Sequence, residues 1–266
     1  MKKVLITGHK GYIGQHLWQM IKQTRPDIEL YGMDNKGDGN EYGDVRGLMS
    51  CGTYFHTIIH LAALVRVGES VEKPTDYYMT NVQGTINVLK NVPHHNFIFA
   101  STGAAENPNS PYGFSKRVAE DVVKELAYDY TIFRFYNVIG SDGFPPTNPD
   151  GLMANLLDAI SLGYFGLCGT NYETKDGTCV REYVHVNDIC RALIKAIDLP
   201  SRNIENLAYG DTKTVREIID IFKEVNNMDF EVRELPRREG DLPECYLKEP
   251  SKYMERNYSY ADMLRY

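Results

Sequence analysis

Three glycines near the start of the chain constrain its fold more than any other feature. Gly8, Gly11 and Gly14 follow one another at three-residue intervals. They come directly after the apolar run Val4–Thr7 and open the stretch Tyr12–Lys22, whose apolar residues have helical spacing. Glycines between a strand and a helix permit a tight turn and let the backbone approach a pyrophosphate, which the amides at the helix N-terminus bind. This context predicts a dinucleotide-binding unit.

The first half of the chain continues the alternation of strand and helix. Four more short apolar runs predict strands, and two more amphipathic stretches predict helices. The strands are Glu29–Met33, Thr57–Leu61, Phe97–Ser101 and Thr131–Phe135, and the helices are Thr75–Asn91 and Pro111–Leu126. This alternation indicates a parallel sheet with crossover helices, so we predict an α/β fold with a Rossmann-type doubly wound sheet.

The pattern becomes irregular after Asn137, where a segment rich in Gly, Pro, Asn and Asp predicts a long loop from Gly140 to Gly151. Helices are predicted beyond it, with Asn187-Asp188 and Thr214 as start signals. They span Leu152–Leu162, Val186–Asp198 and Val215–Val225. We predict a dinucleotide-binding domain over residues 1–140 and a mainly substrate-binding, smaller lobe over residues 141–266, with some segments returning to the first sheet.

Charge and cysteine usage narrow the functional classes. The formal net charge of −7 argues against non-specific binding to nucleic acid or to anionic membranes. No apolar stretch approaches membrane-spanning length. The five cysteines are odd in number, widely spaced and without a Cys-x-x-Cys pair, so we expect neither a disulfide framework nor a metal site. The expected location is the cytoplasm.

Asp34 indicates which dinucleotide binds. It ends the second predicted strand, 20 residues beyond Gly14, where a carboxylate accepts hydrogen bonds from ribose hydroxyls. A 2′-phosphate would be repelled there, and Lys36 is the only cation nearby in the sequence. The position therefore favours NAD as the cofactor.

Tyr112 and Lys116 form a candidate catalytic pair. They lie four residues apart in a helix whose start is marked by Ser110 as cap and Pro111 in the first turn, so they share one face. A nearby ammonium lowers the pKa of a phenol, as a tyrosine acting as base requires. The preceding strand ends in Ser101-Thr102, whose hydroxyls are placed to complete a proton path.

The same spacing recurs at Tyr209 and Lys213. With 19 tyrosines in the chain, one such pair is expected by chance. Tyr209 and Lys213 stand at a strand end and a turn before the helix that starts near Thr214, and they do not follow a Ser-Thr strand end. We therefore interpret Tyr112 and Lys116 as the functional pair.

Taken together, these motifs resemble the extended short-chain dehydrogenase/reductase family, and within it the UDP-hexose 4-epimerases. The similarity covers nearly the whole chain. The matching segments are Thr7–Gly14, His60–Ala63, Val67–Ser70 with Pro74, Asn81–Thr85, Gly169–Tyr172, Asp176–Thr178, Val180–Val186 and Arg237–Pro243.

The resemblance implies a set of site residues. The catalytic residues would be Thr102, Tyr112 and Lys116. The NAD-binding residues would be Gly8, Gly11, Tyr12, Ile13, Gly14, Asp34, Asn35, Asp44, Val45, Leu61, Ala62, Ala63, Asn81, Tyr112, Lys116 and Tyr136. The substrate-binding residues would be Thr102, Asn137, Leu152, Arg181, Arg238, Asp241 and Cys245. His60 is interpreted as a packed residue at a strand end.

The implied activity is redox-neutral epimerisation at C4 of a UDP-hexose by a homodimer, with two arginines suited to the diphosphate. Cys245 stands where hexose-restricted epimerases carry tyrosine, which predicts that N-acetylhexosamines also fit. Val65 and Gly151 replace a lysine and an asparagine of many epimerases, and the Thr102–Tyr112 connection is short.

Three other functions stay open at this stage. A 4-ketoreductase would consume NADH, and a catalytically idle regulator would bind NAD alone. A 4,6-dehydratase carries an Asp-Glu pair after its catalytic threonine, where this chain has Gly103-Ala104.

Overall fold

A computed structural model of the protein describes residues 1–36, 43–47, 51–141, 143–238, 241–247 and 251–266. The chain divides into two compact units. The first comprises Met1–Phe135 and Cys190–Asn206, and the second comprises Tyr136–Ile189 and Leu207–Tyr266. The return of Cys190–Asn206 to the first unit means that this unit is discontinuous in sequence.

The first unit is built on a six-stranded sheet flanked by helices. Its strands are β1 (Lys2–Thr7), β2 (Ile28–Met33), β3 (Phe55–His60), β4 (His94–Thr102), β5 (Asp129–Phe135) and β9 (Arg202–Leu207), in the order β2-β1-β3-β4-β5-β9. Strands β2, β1, β3, β4 and β5 pair in parallel. The predicted α/β fold with a parallel central sheet is confirmed.

The strand order reverses at β1, which lies between β2 and β3. At such a point the loops that follow neighbouring strands leave in opposite directions and open a crevice at the carboxyl edge of the sheet. The loop after β1 carries the three glycines, and the loop after β3 carries Leu61–Leu64. The fold therefore places both loops at the position where doubly wound sheets bind ligands.

The helices of the first unit agree with the sequence at α1 (Tyr12–Thr24) and α5 (Pro111–Leu126). Ser110 caps α5, its hydroxyl accepting a hydrogen bond from Gly113 N at 3.2 Å. The single helix predicted over Thr75–Asn91 is wrong in detail. That region contains α3 (Pro74–Tyr77), a π-helical turn over Tyr78–Gln83 and α4 (Gly84–Asn91), after the unpredicted α2 (Val67–Glu72).

The core of the first unit lies between the sheet and its helices. Apolar side chains of the central strands pack against α4 and α5, and each fully buried one contributes about 1.5–3 kcal/mol. The cluster includes Leu5, Ile58, Val88, Phe97, Phe99, Val123 and Ile132, all fully buried. This packing fixes α5 against β4 and so determines where the candidate catalytic residues stand.

The second unit surrounds a small sheet centred on β8 (Val180–His185), which pairs with β6 (Asn137–Ile139), β10 (Thr212–Thr214) and β12 (Glu244–Cys245). A separate parallel pair joins β7 (Tyr164–Cys168) to β11 (Glu231–Leu235). The helices α6 (Leu152–Leu162), α8 (Val215–Asn226) and α9 (Tyr260–Leu264) pack with these strands in one core.

Both helix starts predicted in this half agree with the structure. Thr214 caps α8 in a capping box with Glu217. Helix α7 (Val186–Ile197) begins at the predicted residue, with Asn187-Asp188 in its first turn, where acidic residues are common. The Asp188 carboxylate is buried and accepts hydrogen bonds from Tyr209 and Asn257.

Across the described ranges, no helix combines the length and the apolar character needed to cross a membrane. Nor does the described part of the chain bring together three or more His, Cys, Asp or Glu side chains as a metal site would. The five cysteines all lie within the described residues, and no disulfide bond joins them.

Candidate active site

The glycine loop has no room for side chains. Gly8 has a φ of +72°, and a Cβ on it would lie 2.8 Å from Ala62 N. A Cβ on Gly14 would lie 2.3 Å from Gly8 O. The loop is closed by hydrogen bonds from Gly8 N to Met33 O and from Gly11 N to Gly8 O. Only glycine fits at these two positions, which is typical of the tight turn that brings a helix N-terminus close to a pyrophosphate.

Asp34 lies buried at the end of β2, with its carboxylate directed at the glycine loop. Its Oδ2 accepts a hydrogen bond from Lys10 N at 3.0 Å, and its Oδ1 accepts one from Lys36 N at 3.0 Å. Each oxygen keeps a further lone pair for a ligand hydroxyl. Asn35, the next residue, is exposed.

We expect NAD to bind at least about thirtyfold more tightly than NADP, because a 2′-phosphate beside the Asp34 carboxylate costs several kcal/mol of like-charge repulsion. Titration of the cofactor-free protein with both dinucleotides measures the ratio. Asp34→Ser should lower the ratio of NAD affinity to NADP affinity, whereas Asp27→Asn, at the opposite end of β2, should leave that ratio unchanged. Tighter binding of NADP than of NAD would remove Asp34 from the cofactor site.

The segment predicted to flank the adenine packs on α4. Val45 is buried against Gly84, and its carbonyl accepts a hydrogen bond from Asn87 Nδ2 at 2.9 Å. Asp44 is paired with Arg46 at 2.5 Å, which lowers the pKa of that carboxyl. The charge of Asp44 is thus already compensated, and contact with an adenine would involve the surface of this turn.

A chain of buried hydrogen bonds supports the loop after β3. Thr7 Oγ1 accepts a hydrogen bond from Ala62 N and lies 2.7 Å from His60 Nδ1. Thr85 Oγ1 donates to Asn81 O at 2.7 Å and lies 3.1 Å from His60 Nε2. Because the Thr85 hydroxyl proton is already used, His60 Nε2 must donate to it, and Nδ1 accepts from Thr7.

These bonds require a neutral His60. Burial lowers its pKa to about 3, and Lys116 adds to that effect. The ring stacks on Phe99 and lies beside Phe97. The structure therefore supports the interpretation of His60 as a packed residue that connects β1, β3 and α4.

Asn81 binds the loop Leu61–Leu64 through its side-chain amide. Its Oδ1 accepts a hydrogen bond from Leu64 N, and its Nδ2 donates to Leu64 O and to Ser115 Oγ. The residue is 1% exposed. This geometry favours support of the loop Leu61–Leu64 over direct contact with a cofactor. Leu61, Ala62 and Ala63 are themselves partly exposed, as are Tyr12 and Ile13 at the start of α1.

Thr102 and Tyr112 meet at the carboxyl end of β4, where their side chains form a hydrogen bond. Burial raises the pKa of Tyr112 to about 12, and the bond to Thr102 opposes the rise. The expectation that Lys116 lowers this pKa is not met: burial of the phenol dominates, and Thr102 is the group that lowers the pKa. Ionisation near neutral pH therefore needs additional positive charge beside the phenol.

Lys116 is 3% exposed, with Nζ 4.2 Å from the centre of the Phe99 ring. Burial lowers its pKa to about 7, and the Glu120 carboxylate opposes that fall. Tyr112 and Lys116 thus lie one turn apart on the face of α5 that packs against β4, as the sequence spacing predicts.

Ser101 does not belong to the proton path proposed from the sequence. Its hydroxyl donates to Glu120 Oε1 at 2.5 Å, two turns along α5 from Tyr112 and inside the core. Glu120 also binds Arg134 through Nε at 2.9 Å and Nη2 at 2.8 Å. The sequence analysis did not identify Glu120 or Arg134.

In the second unit, the structure brings Arg181, Asp241 and Cys245 together. Arg181 Nη2 lies 3.8 Å from Asp241 Oδ1, and its Nη1 donates to Val180 O at 3.0 Å. Cys245 is the register partner of Arg181 in the parallel pair β8–β12, so both side chains lie on one face. The Arg181 side chain is 15% exposed.

Arg238, in the segment after β11, lies against the last residue of β7. Its Nε donates to Cys168 Sγ at 3.2 Å, and Asp241 N donates to Arg238 O at 3.3 Å. Glu239 and Gly240 of the same motif lie outside the described residues.

The structure also shows where three further predicted site residues lie. Asn137 Nδ2 donates to Glu182 O at 3.0 Å. Leu152 is the first residue of α6, and Tyr136 is partly exposed.

Glu182 is a supporting residue that sequence reasoning missed. Its buried carboxylate accepts hydrogen bonds from Gly210 N at 2.6 Å and Leu247 N at 3.2 Å. Burial raises its pKa despite these bonds. Glu182 thereby ties the segments on both sides of β8 to the strand that presents Arg181.

Tyr209 and Lys213 do not act on each other. The Tyr209 hydroxyl donates to Asp188 Oδ2 at 2.5 Å and accepts from His185 N at 3.2 Å. Lys213 Nζ lies 5.0 Å from the centre of the Tyr260 ring. The structure supports the interpretation of this pair as a chance match.

Comparison with known proteins identifies the family. A family model described as the NAD dependent epimerase/dehydratase family matches residues 4–209, which is more than half of the chain. This chain belongs to that family.

Similarity to a UDP-glucose 4-epimerase extends over nearly the whole chain. UDP-glucose 4-epimerase of Haemophilus influenzae is 30% identical, covering 91% of this chain and 88% of the relative. Its alignment spans 298 positions, more than the 266 residues of the chain, so the relative carries insertions within the matched region.

Two solved epimerases of the family share the fold. The Brucella ovis UDP-glucose 4-epimerase in complex with NAD is 27% identical, with a TM-score of 0.85, and covers 100% of this chain and 97% of that one. The Bifidobacterium longum enzyme in complex with NAD+ and UDP is 25% identical, with a TM-score of 0.82, and covers 98% and 96%.

Proposed function

We propose that the protein is an NAD-dependent UDP-hexose 4-epimerase. The observation that carries the proposal is the placement of Tyr112, one turn from Lys116 on α5, against Thr102 at the carboxyl end of β4, in a sheet whose first strand ends at the glycine turn. The named relatives act on UDP-glucose, and two solved relatives hold NAD.

The residues present fit NAD. Gly8 and Gly14 allow the tight turn that ends at the N-terminus of α1, and the amides of the first turn of α1 suit a pyrophosphate. The Asp34 carboxylate at the end of β2 suits two ribose hydroxyls. When bound, NAD accepts hydride from C4 of the sugar and returns it, and its oxidised ring is positively charged.

Tyr112 acts as the base of the reaction. Its phenolate takes the proton of the sugar 4-hydroxyl as C4 is oxidised. After the 4-keto sugar has rotated to present its other face, Tyr112 returns that proton to the sugar oxygen. Thr102, hydrogen-bonded to Tyr112, orients the phenol. Because burial raises the pKa of Tyr112, protonated Lys116 and the charged ring of bound NAD would together have to favour the phenolate.

Arg181, Arg238 and Asp241 anchor the UDP group. Two guanidiniums match a diphosphate, and the Asp241 carboxylate matches ribose hydroxyls. Holding the nucleotide lets the sugar rotate while it stays bound, which epimerisation requires because opposite faces of C4 must be presented in turn.

The segment after Thr102 favours epimerisation over dehydration. Gly103–Ala105 forms a single 3₁₀ turn without an acidic side chain. The next residue, Glu106, lies 3.7 Å from Arg134 Nη1 and is half exposed. Elimination of water across C5 and C6 needs an acid at the position of this turn, so the chain lacks that group.

Incubation of the purified protein with a panel of UDP-hexoses, followed by chromatographic separation of products, tests the proposal. We expect UDP-glucose and UDP-galactose to interconvert without added NADH. Net consumption of NADH would identify a ketoreductase. Binding of NAD without binding of any nucleotide sugar would identify an idle regulator.

A finer proposal concerns the sugar. Cys245 lies beside Arg181 on one face of the sheet, and a thiol is much smaller than a phenol. We expect UDP-GlcNAc and UDP-GalNAc to interconvert at rates comparable with the plain hexoses. Cys245→Tyr should suppress the N-acetyl reaction by at least about tenfold relative to the plain one, since the ring takes the acetamido space.

The ratio of the two activities in each protein is the internal control. An unchanged ratio in Cys245→Tyr, or rejection of N-acetyl sugars by the wild type, would show that other residues shape this pocket.

We also propose a homodimer in the cytoplasm. Exposed apolar side chains are concentrated on two packed helices of the first unit. They are Val67 and Val71 on α2 and Phe114 and Val118 on α5, with Tyr78 and Met79 beside them. Such a patch is typical of a subunit interface. Sedimentation as a 30.3 kDa species at micromolar concentration would contradict the dimer.

A further inference from the structure

A buried carboxylate lies one helical turn beyond the catalytic pair. Tyr112, Lys116 and Glu120 follow at four-residue intervals on α5 and form one stripe of that helix. Glu120 has 0% of its surface exposed. A carboxylate is rarely buried to this degree unless it is paired, so its partners indicate what it does.

Glu120 joins α5 to two neighbouring strands. Its carboxylate accepts hydrogen bonds from Ser101 Oγ at 2.5 Å and from the Arg134 guanidinium at 2.8 and 2.9 Å. Ser101 and Arg134 are register partners at the ends of β4 and β5. The residue after Ser101 is Thr102, which bonds Tyr112. One carboxylate thus fixes the helix that carries Tyr112 and Lys116 to the strand end that carries Thr102.

The same carboxylate is the anion that acts on Lys116. Lys116 Nζ faces the Phe99 ring, and His60 beyond it is neutral. Burial lowers the pKa of Lys116, whereas Glu120 raises it. The ionisable groups around the ammonium are Tyr112 and Glu120 on α5, His60 on β3 and, paired with Glu120, Arg134 on β5.

We propose that Glu120, held by Ser101 and Arg134, is a positioning residue that keeps Lys116 protonated and keeps the Tyr112 turn of α5 in register with Thr102. The proposal rests on the proposed function for its catalytic consequence. Its electrostatic part concerns Lys116 alone and is measurable without turnover.

The test compares three variants with the wild type, all loaded with NAD. Glu120→Gln removes the charge, Glu120→Leu/Arg134→Met replaces the whole pair by apolar side chains, and Glu106→Gln is the matched control. Glu106 is the other carboxylate near Arg134, at 3.7 Å, but it is half exposed. The double variant leaves neither Glu120 nor Arg134 as a buried charge without the other, so it preserves folding where the single variant fails.

The first readout is the pH titration of the Lys116 ¹³Cε signal by NMR, assigned by its absence in Lys116→Met. We expect the apparent pKa of Lys116 to fall by about one in both Glu120 variants and to stay constant in Glu106→Gln. An unchanged Lys116 pKa in a folded Glu120 variant overturns the proposal, whether or not the protein turns over UDP-hexoses.

The second readout is the pH profile of kcat. In the Glu120 variants the alkaline limb should move to lower pH and kcat at pH 7 should fall about fivefold, with KM for the UDP-hexose nearly unchanged. A merely structural role would lower the amount of folded protein without moving this limb. Absence of epimerisation in the wild type would overturn the proposed function and leave the NMR result to decide the role of Glu120.

Discussion

Tyr112→Phe should lower kcat for UDP-hexose epimerisation by about 10³-fold or more while NAD stays bound. The substitution removes the phenolic oxygen that takes the sugar proton and keeps the ring that packs 6.3 Å from Tyr77. Because the substitution does not touch the proposed nucleotide anchors Arg181, Arg238 and Asp241, KM should change little. Single-turnover kinetics and the amount of NAD that copurifies measure the two effects separately.

Tyr209→Phe is the matched control for this variant. It also removes a hydroxyl from a tyrosine four residues before a lysine, but that hydroxyl binds Asp188 and His185 N. The variant should be less stable and yet turn over normally per folded molecule. Substantial turnover by Tyr112→Phe would assign the base role to another residue.

Gly14→Ala should lower NAD affinity by about 100-fold. Its Cβ would lie 2.3 Å from Gly8 O and 2.6 Å from His9 Cα, so the turn must open by about 1 Å. Displacements of that size in a positioning element typically cost two orders of magnitude. Isothermal titration with NAD measures the loss, and circular dichroism shows whether the fold is retained.

Gly68→Ala, on the exposed side of α2, is the control, since no atom lies within 4 Å of its added Cβ. It should bind NAD as the wild type does. Wild-type affinity in Gly14→Ala would mean that the dinucleotide does not approach this turn.

The sequence predicts best where local rules and the fold agree. This is the case for two helices, α5 with its Ser110 cap and α8 with its Thr214 cap. In each, the capping residue, the helical period of apolar residues and the position in the fold indicate the same element. The proposed catalytic residues Tyr112 and Lys116 lie on such an element, and their spacing together with the preceding Ser101-Thr102 strand end distinguishes them from Tyr209 and Lys213.

Other features depend on contacts that no local pattern reveals. The π-helical turn over Tyr78–Gln83 interrupts a stretch with regular helical spacing, and the bonds of Asn81 to Leu64 and Ser115 are long-range. The strands of the second unit are short, and several contain few apolar residues, as β11 and β12 do. Hydrophobic period therefore carries little information there.

Buried acids are the second class that sequence reasoning missed. A glutamate in an amphipathic helix, such as Glu120, is ordinarily expected to face solvent, and Glu182 lies in a strand next to an arginine. Only the structure shows Arg134 and Ser101 around the first and backbone amides around the second. The raised pKa of Tyr112 likewise follows from burial, which the Tyr-Lys spacing does not encode.

The central claim is that hydride leaves C4 of a UDP-hexose and returns to the same carbon. UDP-galactose deuterated at C4, incubated with the protein in ordinary water, tests it most directly by mass spectrometry and NMR of the product. We predict UDP-glucose that retains deuterium at C4, with no net change in absorbance from NADH. Loss of the deuterium to solvent, accumulation of NADH, or absence of UDP-glucose would contradict the account.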